Sequence, residues 1–406
     1  MNNISDTQPQ IPCLNIAFES AAYQENIYQH YADFHANTPV FTTKGGAVYL
    51  TRFADCLHLL KDPGFTRRPE SGSSAFSNEN RQQNSFESML NDWMVFQDPP
   101  QHTRLREQLN KIFIPARIYA MEGDIRRTVV SLLTLLPSNE PVEFVNRFAY
   151  LMPISVICAM LQVEEDNHEQ FRLWSRDLTF ALNTGADEDI AAGLGAVQAL
   201  KAYFMSHLAG SANHDKDDIL NALLQARDDG ELTLEESANI CVFMIWTGHE
   251  TTKHLIANGL LLMLQNPAQM ELLRSKPELL DGTIEEVLRY DSPIQKISRW
   301  TRSDSLLGGY LVPANSLVTA ILGAANRDPE EFERPDAFLI ERTHNRHLAF
   351  GKGIHHCLGI HLARFEAKIA YKEILGRYRN IALGDYQWRN LSAFRNLEKL
   401  ELILEK

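Results

Sequence analysis

The sequence lacks the features that mark exported, membrane-spanning or disulfide-stabilised proteins. Its 406 residues include five cysteines, an odd number with no CxxC pair, which argues against a disulfide framework and favours a reducing compartment. The first residues, MNNISDTQPQ, have neither the basic start nor the apolar run of a signal peptide, and no window reaches about 18 uninterrupted apolar residues. We therefore expect a cytoplasmic protein without a membrane anchor.

Positive charge is also scarce. Lysine and arginine total 39 against 52 aspartates and glutamates, which gives a formal net charge of −13. Nucleic acids and anionic membranes select proteins with clustered positive charge, so neither is expected as the main partner. The composition, 44% hydrophobic and 22% charged, is typical of a globular protein with an ample core.

Helical periodicity dominates the chain. We predict a mainly α fold in one domain spanning 1–406, because no linker divides the sequence and only short strand-like pieces appear. The predicted helices are 53–61, 103–113, 119–136, 144–161, 168–182, 190–208, 217–227, 234–264, 267–276, 283–290 and about 358–377. Two alternating runs, 39–42 and 47–51, predict a hairpin around KGG. The stretch 70–91, rich in Ser, Asn, Gln and Glu, predicts a mobile loop.

The longest predicted helix is apolar except at its midpoint. Thr233 and Glu236 form a capping-box pattern at its start, and about 30 residues would span about 45 Å. The segments ICVFMIW and LIANGLLLML are apolar nearly all round, which is typical of a helix buried on every side. Because burying an unpaired hydroxyl or carboxylate costs several kcal/mol, the polar groups between them need partners, water or a function.

That polar insert, TGHETTKH, nearly matches the HExxH signature of zinc hydrolases. The second zinc-binding histidine must follow the first by four residues, but Lys253 stands there. His254 follows His249 by five residues, roughly 140° around the helix axis. The zinc interpretation therefore fails by one residue.

Two explanations of the insert remain. Thr251 can bond back to the carbonyl of Thr247, which would open a notch beside Gly248 able to hold a small polar molecule. The alternative is a core helix whose polar side chains are all satisfied.

A second unusual stretch, HLAFGKGIHHCLGIHLAR, covers 347–364. Its glycines permit a tight turn, and Cys357 stands immediately before a helical pattern, where the helix dipole favours a thiolate. His355, His356 and Cys357 are too close in sequence to converge easily on one tetrahedral zinc ion. A soft anionic ligand and a buried structural cysteine both remain open.

The run FGKGIHHCLG, 350–359, resembles the haem-binding loop of the cytochrome P450 family, whose pattern is FxxGxxxCxG. Four further segments resemble the family in the same order. They are DPPQHTRLREQL at the helix that crosses the haem edge, TGHETT at the oxygen-binding turn, EEVLR at the ExxR helix, and AANRDP with RPDAF before the cysteine loop. The resemblance covers nearly the whole chain and is closest to soluble bacterial members.

The resemblance implies a prism-shaped, mostly helical fold. It implies haem b (iron protoporphyrin IX) between the central helix and the helix after Cys357, and O2 as cosubstrate. One oxygen atom would be inserted into an organic, secondary-metabolite substrate. Electrons would come from NAD(P)H through a reductase and a ferredoxin- or flavodoxin-type donor, and we expect a monomer. Arg104, Lys111, Lys352 and Arg364 are candidates for the docking face of that donor.

Site residues follow from the resemblance position by position. Cys357 corresponds to the axial thiolate and metal ligand, and Glu250 and Thr251 to the acid and alcohol that position dioxygen and relay protons to it. The cofactor-binding positions are His102, Arg106, Arg299, Phe350, His355, Cys357 and Gly359. The substrate-pocket positions are Trp93, Met94, Val95, Phe180, Ala181, Phe243, Trp246, Thr247, Ile294, Ile297 and Phe394.

The chain departs from the family pattern at three places, one of which is His356, where an aromatic residue is common beside the cysteine. Glu286 and Arg289 resemble the buried structural pair, but Ala337 stands where the family usually has a third member, an arginine, and Arg342 is the candidate replacement. Thr247 stands where the family usually has alanine, next to a bulkier residue than usual. We expect a narrowed pocket there, with the hydroxyl bonded to substrate or to ordered water.

The substrate entrance is predicted at the segments 70–97 and 183–196, which would move to admit substrate. Alternatives within the same scaffold are use of peroxide, desaturation or ring coupling. A haem-based sensor or carrier of a gas or ligand is the alternative that is not an enzyme.

Overall fold

The computed structural model describes residues 9–69, 81–184, 186–210 and 217–406, without the side chains of 81–84 and 183–184. The α-helices are α1 (Ala21–Glu25), α2 (Ile27–Asn37), α3 (Phe53–Lys61), α4 (Arg81–Leu90), α5 (Gln101–Ile112), α6 (Pro115–Ala120), α7 (Glu122–Thr134), α8 (Leu151–Met160), α9 (His168–Thr184), α10 (Asp187–Gly210), α11 (Ile219–Asp228), α12 (Leu234–Gln265), α13 (Pro267–Ser275), α14 (Leu280–Tyr290), α15 (Leu322–Ala325) and α16 (Ile360–Arg377). The strands are β1 (Val40–Thr42), β2 (Val48–Leu50), β3 (Phe65–Thr66), β4 (Pro141–Glu143), β5 (Lys296–Thr301), β6 (Ser305–Leu307), β7 (Tyr310–Val312), β8 (Leu317–Ile321), β9 (Asn380–Arg389) and β10 (Asn396–Glu405).

The mainly α class and most predicted helices are confirmed. The prediction for α3 matches at both ends, and that for α12 differs by one residue. Two predicted helices are interrupted: 119–136 falls on α6 and α7, and 144–161 falls on a π-helical turn, Val145–Ala149, followed by α8. Proline has no N–H, so Pro153 cannot donate to the carbonyl four residues earlier, next to the point where the π turn gives way to α8.

Four helices, α1, α2, α4 and α15, and the strands β9 and β10 were not predicted. The prediction of a loop at 70–91 is wrong for α4, where Phe86 and Leu90 are buried one turn apart. Residues 70–80 lie outside the described part of the chain, and the entrance segment 183–196 falls on the end of α9 and the start of α10. Helices α1 and α2 precede the hairpin, and the strands β9 and β10 follow the last helix.

The chain divides into two compact units, of which unit 1 contains the described residues 9–69, 285–357 and 388–396. Its five-stranded sheet has the order β1-β2-β8-β5-β3, with β2 and β8 parallel and the other pairs antiparallel. The predicted hairpin is confirmed, with Val40 opposite Leu50. Buried side chains of the sheet pack with α3 and with Phe332 to form the main core of this unit.

Unit 2 contains the described parts of 78–284, 358–387 and 397–406. Helix α12, 32 residues long, packs against α8, α10 and α16. The predicted capping box is confirmed: the Thr233 hydroxyl accepts from the Glu236 N–H at 3.1 Å, and the Glu236 carboxylate accepts from the Thr233 N–H at 2.9 Å. A small sheet of β4, β10 and β9 completes this unit. Within the described ranges we find no helix with the length and apolarity needed to cross a bilayer.

A buried ion network holds the loops of unit 1. Glu286 and Arg289 are fully buried and form two charge-assisted hydrogen bonds of 2.8 Å. The Arg342 Nε lies 3.0 Å from Oε2 of Glu286, which confirms that Arg342 supplies the third member of the network. The Arg289 guanidinium also donates to the carbonyl of Ala337, 3.0 Å away. Thus the backbone at 337 contributes an acceptor although its side chain contributes no charge.

We predict that Arg342→Met lowers the free energy of unfolding by about 3 kcal/mol, because it removes one partner of a buried carboxylate. Urea denaturation monitored by circular dichroism measures this change. The control is Arg127→Met, which breaks the exposed ion pair with Asp124 and should change stability by less than about 0.5 kcal/mol. Equal stabilities of the two variants would contradict the prediction.

Candidate functional site

The loop that carries Cys357 is closed by a backbone hydrogen bond from Cys357 N–H to the Phe350 carbonyl, 3.0 Å long. Gly351 and Gly353 both adopt positive φ, 66° and 73°. A Cβ at Gly353 would lie 2.2 Å from the Leu60 carbonyl oxygen, so this position requires glycine. The thiol of Cys357 is half-buried and belongs to no disulfide.

The residues around this loop fit the iron porphyrin that the resemblance implies. No described atom lies within 4 Å of the position that a Cβ at Gly359 would take, and a Cβ at Gly351 would meet only atoms at 3.9 Å and beyond. A flat ring can therefore approach the backbone at these two glycines. A thiolate is a soft ligand for iron, and buried cations suit the two propionates of haem.

The predicted cationic positions are distributed over both units. In unit 1, Arg299 is buried and donates to the Ser298 carbonyl at 2.9 Å, and His355 ends the short 3₁₀ turn Gly353–His355. In unit 2, His102 is buried on α5, and Arg106 donates to the side chain of Asn110 at 3.1 Å. Phe350 contacts the His347 ring at a centroid distance of 6.0 Å.

The midpoint of α12 holds a buried polar cluster, so the expectation that its polar groups have partners is confirmed. Glu250 is only 5% exposed. Its Oε2 lies 2.9 Å from the Lys253 Nζ and 3.6 Å from the His254 Nε2, and its Oε1 lies 3.2 Å from the His249 Nε2. Burial by itself raises the pKa of this carboxyl, but the Lys253 charge and the two imidazoles outweigh it and hold the pKa well below its usual range.

Two neighbouring elements complete this cluster. The Tyr150 ring, which precedes α8, meets the His249 ring edge-on at 5.2 Å, and the Lys253 Nζ lies 5.2 Å from the centre of the same ring. The Ser175 hydroxyl of α9 lies 3.5 Å from the His249 ring nitrogens. Burial raises the pKa of the Tyr150 phenol, so it stays protonated.

The two threonines on α12 donate back to their own helix. Thr251 makes the predicted bond to the Thr247 carbonyl, at 3.4 Å, and Thr247 in turn donates to the Phe243 carbonyl at 2.8 Å. The prediction of a notch beside Gly248 is wrong for the face of the helix toward which a side chain at this position would point. The Ile157 side chain of α8 fills that space. Helix α12 is continuous through this turn.

Sequence reasoning missed a second buried acid, Glu366 of α16, which is fully buried. Burial raises its pKa well above the usual value, and the nearby Thr252 hydroxyl lowers it only in part, so the carboxyl stays neutral. The available signal was its position one turn from Leu362 and Ala370, on the apolar face of α16.

Three predicted pocket residues of unit 2, Trp93, Phe243 and Trp246, form an aromatic cluster. The centre of the Trp93 ring lies 5.7 Å from the ring centres of Phe243 and Trp246, and Trp93 and Phe243 line a small cleft together with Leu105 and Leu109. The two indole N–H groups are buried and have no acceptor among the described residues. Met94 and Ala181 are buried as well, whereas Val95 and Phe180 are half-buried.

The other three predicted pocket residues belong to unit 1. Ile294 and Phe394 face each other in an isolated antiparallel bridge. Ile297 on β5 borders the cysteine loop, because its Cδ1 lies 4.0 Å from the Cβ position of Gly351. These residues are half-buried.

Comparison with known proteins agrees with this geometry. The family model described as Cytochrome P450 matches residues 7–276 and 273–385. A biotin biosynthesis cytochrome P450 of Bacillus subtilis is 35% identical over 398 residues, which cover 95% of this chain and 98% of that protein. The 6-deoxyerythronolide B hydroxylase of Saccharopolyspora erythraea is 30% identical, with coverage of 95% and 98%.

A solved structure shows the same architecture. P450BioI in complex with hexadec-9Z-enoic acid ligated acyl carrier protein superposes with a TM-score of 0.88 at 33% identity, and the match covers 95% of this chain and 99% of that one. Since both the family match and the relatives extend over almost the full sequence, the chain belongs to the cytochrome P450 family of haem-thiolate monooxygenases.

Proposed function

We propose that this cytochrome P450 inserts one oxygen atom into a small organic substrate of secondary metabolism, and that Cys357 would hold the haem iron through its thiolate. The observation that carries the proposal is the glycine-dependent loop that presents the Cys357 side chain. When bound, the haem supplies an iron centre that activates dioxygen.

The cationic positions named from the family resemblance are proposed to hold the cofactor. Arg299 and His102, both buried, and Arg106 and His355 are suited to bind the propionates as charge-assisted donors. Gly359 and Phe350 are proposed to lie beside the ring. The support is the chemistry of the side chains and the open space at the glycine.

Glu250 and Thr251 are the proposed catalytic acid and alcohol. Both are adjacent on α12, and Glu250 already belongs to a hydrogen-bonded proton-carrying cluster. Such a cluster serves proton delivery during O2 activation, and it therefore favours O2 over peroxide as the oxidant.

The aromatic cluster supports a proposal about the substrate. A buried indole N–H without an acceptor lowers the stability of the protein, because it has lost its hydrogen bond to water. A substrate oxygen that accepts this hydrogen bond would remove that cost. We propose that the substrate is an apolar skeleton with a carbonyl, lactone or carboxyl oxygen that accepts from Trp93 or Trp246. The relatives named for a deoxyerythronolide and for a fatty acid on a carrier protein support this class.

The electron donor is proposed to be a separate ferredoxin or flavodoxin with its reductase. Two of the four cations expected on the docking face are ion-paired within unit 2, Arg104 with Glu236 and Lys111 with Glu231, so less of their charge is available to a partner.

Action in the cytoplasm is part of the proposal, supported by five cysteines in the thiol form.

We predict that the reduced, carbon monoxide-bound protein shows the red-shifted Soret band of thiolate-ligated haem, and that Cys357→Ser abolishes this band. The difference spectrum is the measurement. Cys13→Ser, which alters an exposed thiol, is the matched control and should keep the band. A wild-type spectrum typical of histidine-ligated haem, or a protein without haem, would overturn the proposed function.

We predict that Trp93→Phe or Trp246→Phe weakens binding of a carbonyl ligand roughly five- to tenfold, the equivalent of about one hydrogen bond. The measurement is the Soret spin-state shift on titration with pentadecanolide and with its cyclic ether analogue, which lacks the carbonyl. The ether should bind wild type and variants alike, and Trp300→Phe should change neither affinity. Failure of wild type to prefer the lactone would refute the substrate proposal.

A further inference from the structure

Each ring nitrogen of His249 has a hydrogen-bond acceptor as its nearest polar contact, and the Ser175 hydroxyl lies farther away, 3.5 Å from both nitrogens. The Nδ1 lies 2.7 Å from the carbonyl oxygen of Ile245, one turn earlier on α12. Because a carbonyl oxygen can only accept, Nδ1 must carry a hydrogen. The Nε2 lies 3.2 Å from the Oε1 of Glu250.

This arrangement determines how many protons the pair holds. A neutral imidazole with its hydrogen on Nδ1 has a lone pair on Nε2, and a lone pair facing a carboxylate is repulsive. With His249 fully buried and Glu250 nearly so, bulk water cannot screen that repulsion. The close contact therefore needs one further proton between Nε2 and Oε1.

Lys253 determines on which side of the contact that proton lies. Its ammonium binds Oε2 at 2.9 Å and, together with the histidines, overcomes the effect of burial and holds the pKa of Glu250 well below its usual range. A carboxylate that binds an ammonium through one oxygen favours its ionised form, so the hydrogen in the contact with Oε1 lies on the Nε2 side. Burial and the Lys253 charge lower the pKa of His254 to about 4, so that ring is neutral and does not compete as a donor.

We propose that His249 stores the proton that Glu250 passes on during dioxygen activation, and that Lys253 is a positioning residue that anchors the carboxylate through Oε2. In the transfer the Nε2–H bond breaks and an O–H bond forms at Oε1. The ring is left as the neutral Nδ1–H form, which keeps its bond to Ile245 without rotating. Solvent supplies the proton that restores the imidazolium. The inference rests on the proposed function and adds a residue to its proton path.

The titratable and polar groups around this pair come from three helices and the turn before α8. Lys253 and His254 on α12, Tyr150 before α8 and Ser175 on α9 contact the pair directly. Arg172 and Arg176 on α9 act on Tyr150, and Glu366 on α16 lies beside Thr252. Tyr150 and Glu366 are held protonated and neutral by burial. His249 is thus the group in this cluster whose charge changes when a proton leaves.

The first test is the protonation state of His249 itself. Nitrogen NMR of protein with labelled histidine, in the diamagnetic reduced carbon monoxide form, should show a doubly protonated ring at neutral pH, assigned by its absence in His249→Phe. In Glu250→Gln the ring should become neutral, because a side-chain amide can donate to Nε2. A neutral His249 in the wild-type protein would overturn the proposal, whatever the catalytic result.

The second test is the pH profile of dioxygen consumption by the holoenzyme with ferredoxin and its reductase. The wild-type rate should fall as pH rises through the His249 titration seen by NMR, and His249→Gln, which can still donate to Glu250, should lose this step and turn over roughly tenfold more slowly. His168→Gln, which changes a histidine that contacts the Val163 carbonyl, should keep the wild-type profile. Persistence of the step in His249→Gln would refute the storage role.

Failure of this inference can be distinguished from failure of the proposed function. Each variant is first checked for the thiolate Soret band with carbon monoxide, which reports haem ligation alone. A wild-type protein without that band contradicts the proposed function, whereas an intact band with a neutral His249 contradicts only the storage of the proton.

Discussion

The burial of an ionised carboxylate inside an apolar helix is the constraint on which the centre of this protein depends. An unpaired Glu250 carboxylate at the midpoint of α12 would destabilise the fold by several kcal/mol. Its partners therefore come mainly from α12 itself, at the next turn and the adjacent position, where a helix can bring side chains together. The neighbouring helices contribute Tyr150 and Ser175 around this self-contained cluster.

A second buried carboxyl, on the neighbouring helix α16, is neutral instead of ionised. Glu366 of α16 is as deeply buried as Glu250, but the contact that modifies its pKa is a threonine hydroxyl and not a cation, so it stays neutral. Within one unit, the surroundings thus keep one carboxyl ionised and the other neutral. An ionised acid beside a protonated imidazole and a neutral acid nearby are both compatible with moving a proton without exposing it to bulk water.

In unit 1 a buried carboxylate organises the backbone that leads to the cysteine. Glu286 binds Arg289, and Arg289 donates to the carbonyl of Asn326 at 3.0 Å. The Asn326 side chain accepts from the Leu348 N–H at 2.6 Å, and the Leu348 carbonyl accepts from Gly351 at 2.8 Å. A continuous series of hydrogen bonds thus connects the ion network to the loop of Cys357. Loss of a charge in the network therefore affects the geometry of a proposed iron ligand in the same unit.

Local patterns in the sequence determined the hairpin, the capped central helix and the cysteine loop, because each depends on residues within a few positions of one another. Short motifs of the same kind were enough to indicate the family. Helix α4 was missed because its polar composition concealed two apolar residues that tertiary packing buries. Only the tertiary structure decided that Arg342 reaches Glu286 and that Glu366 lies near Thr252. Residues far apart in the chain meet through the packing of whole elements, and no local spacing records that contact.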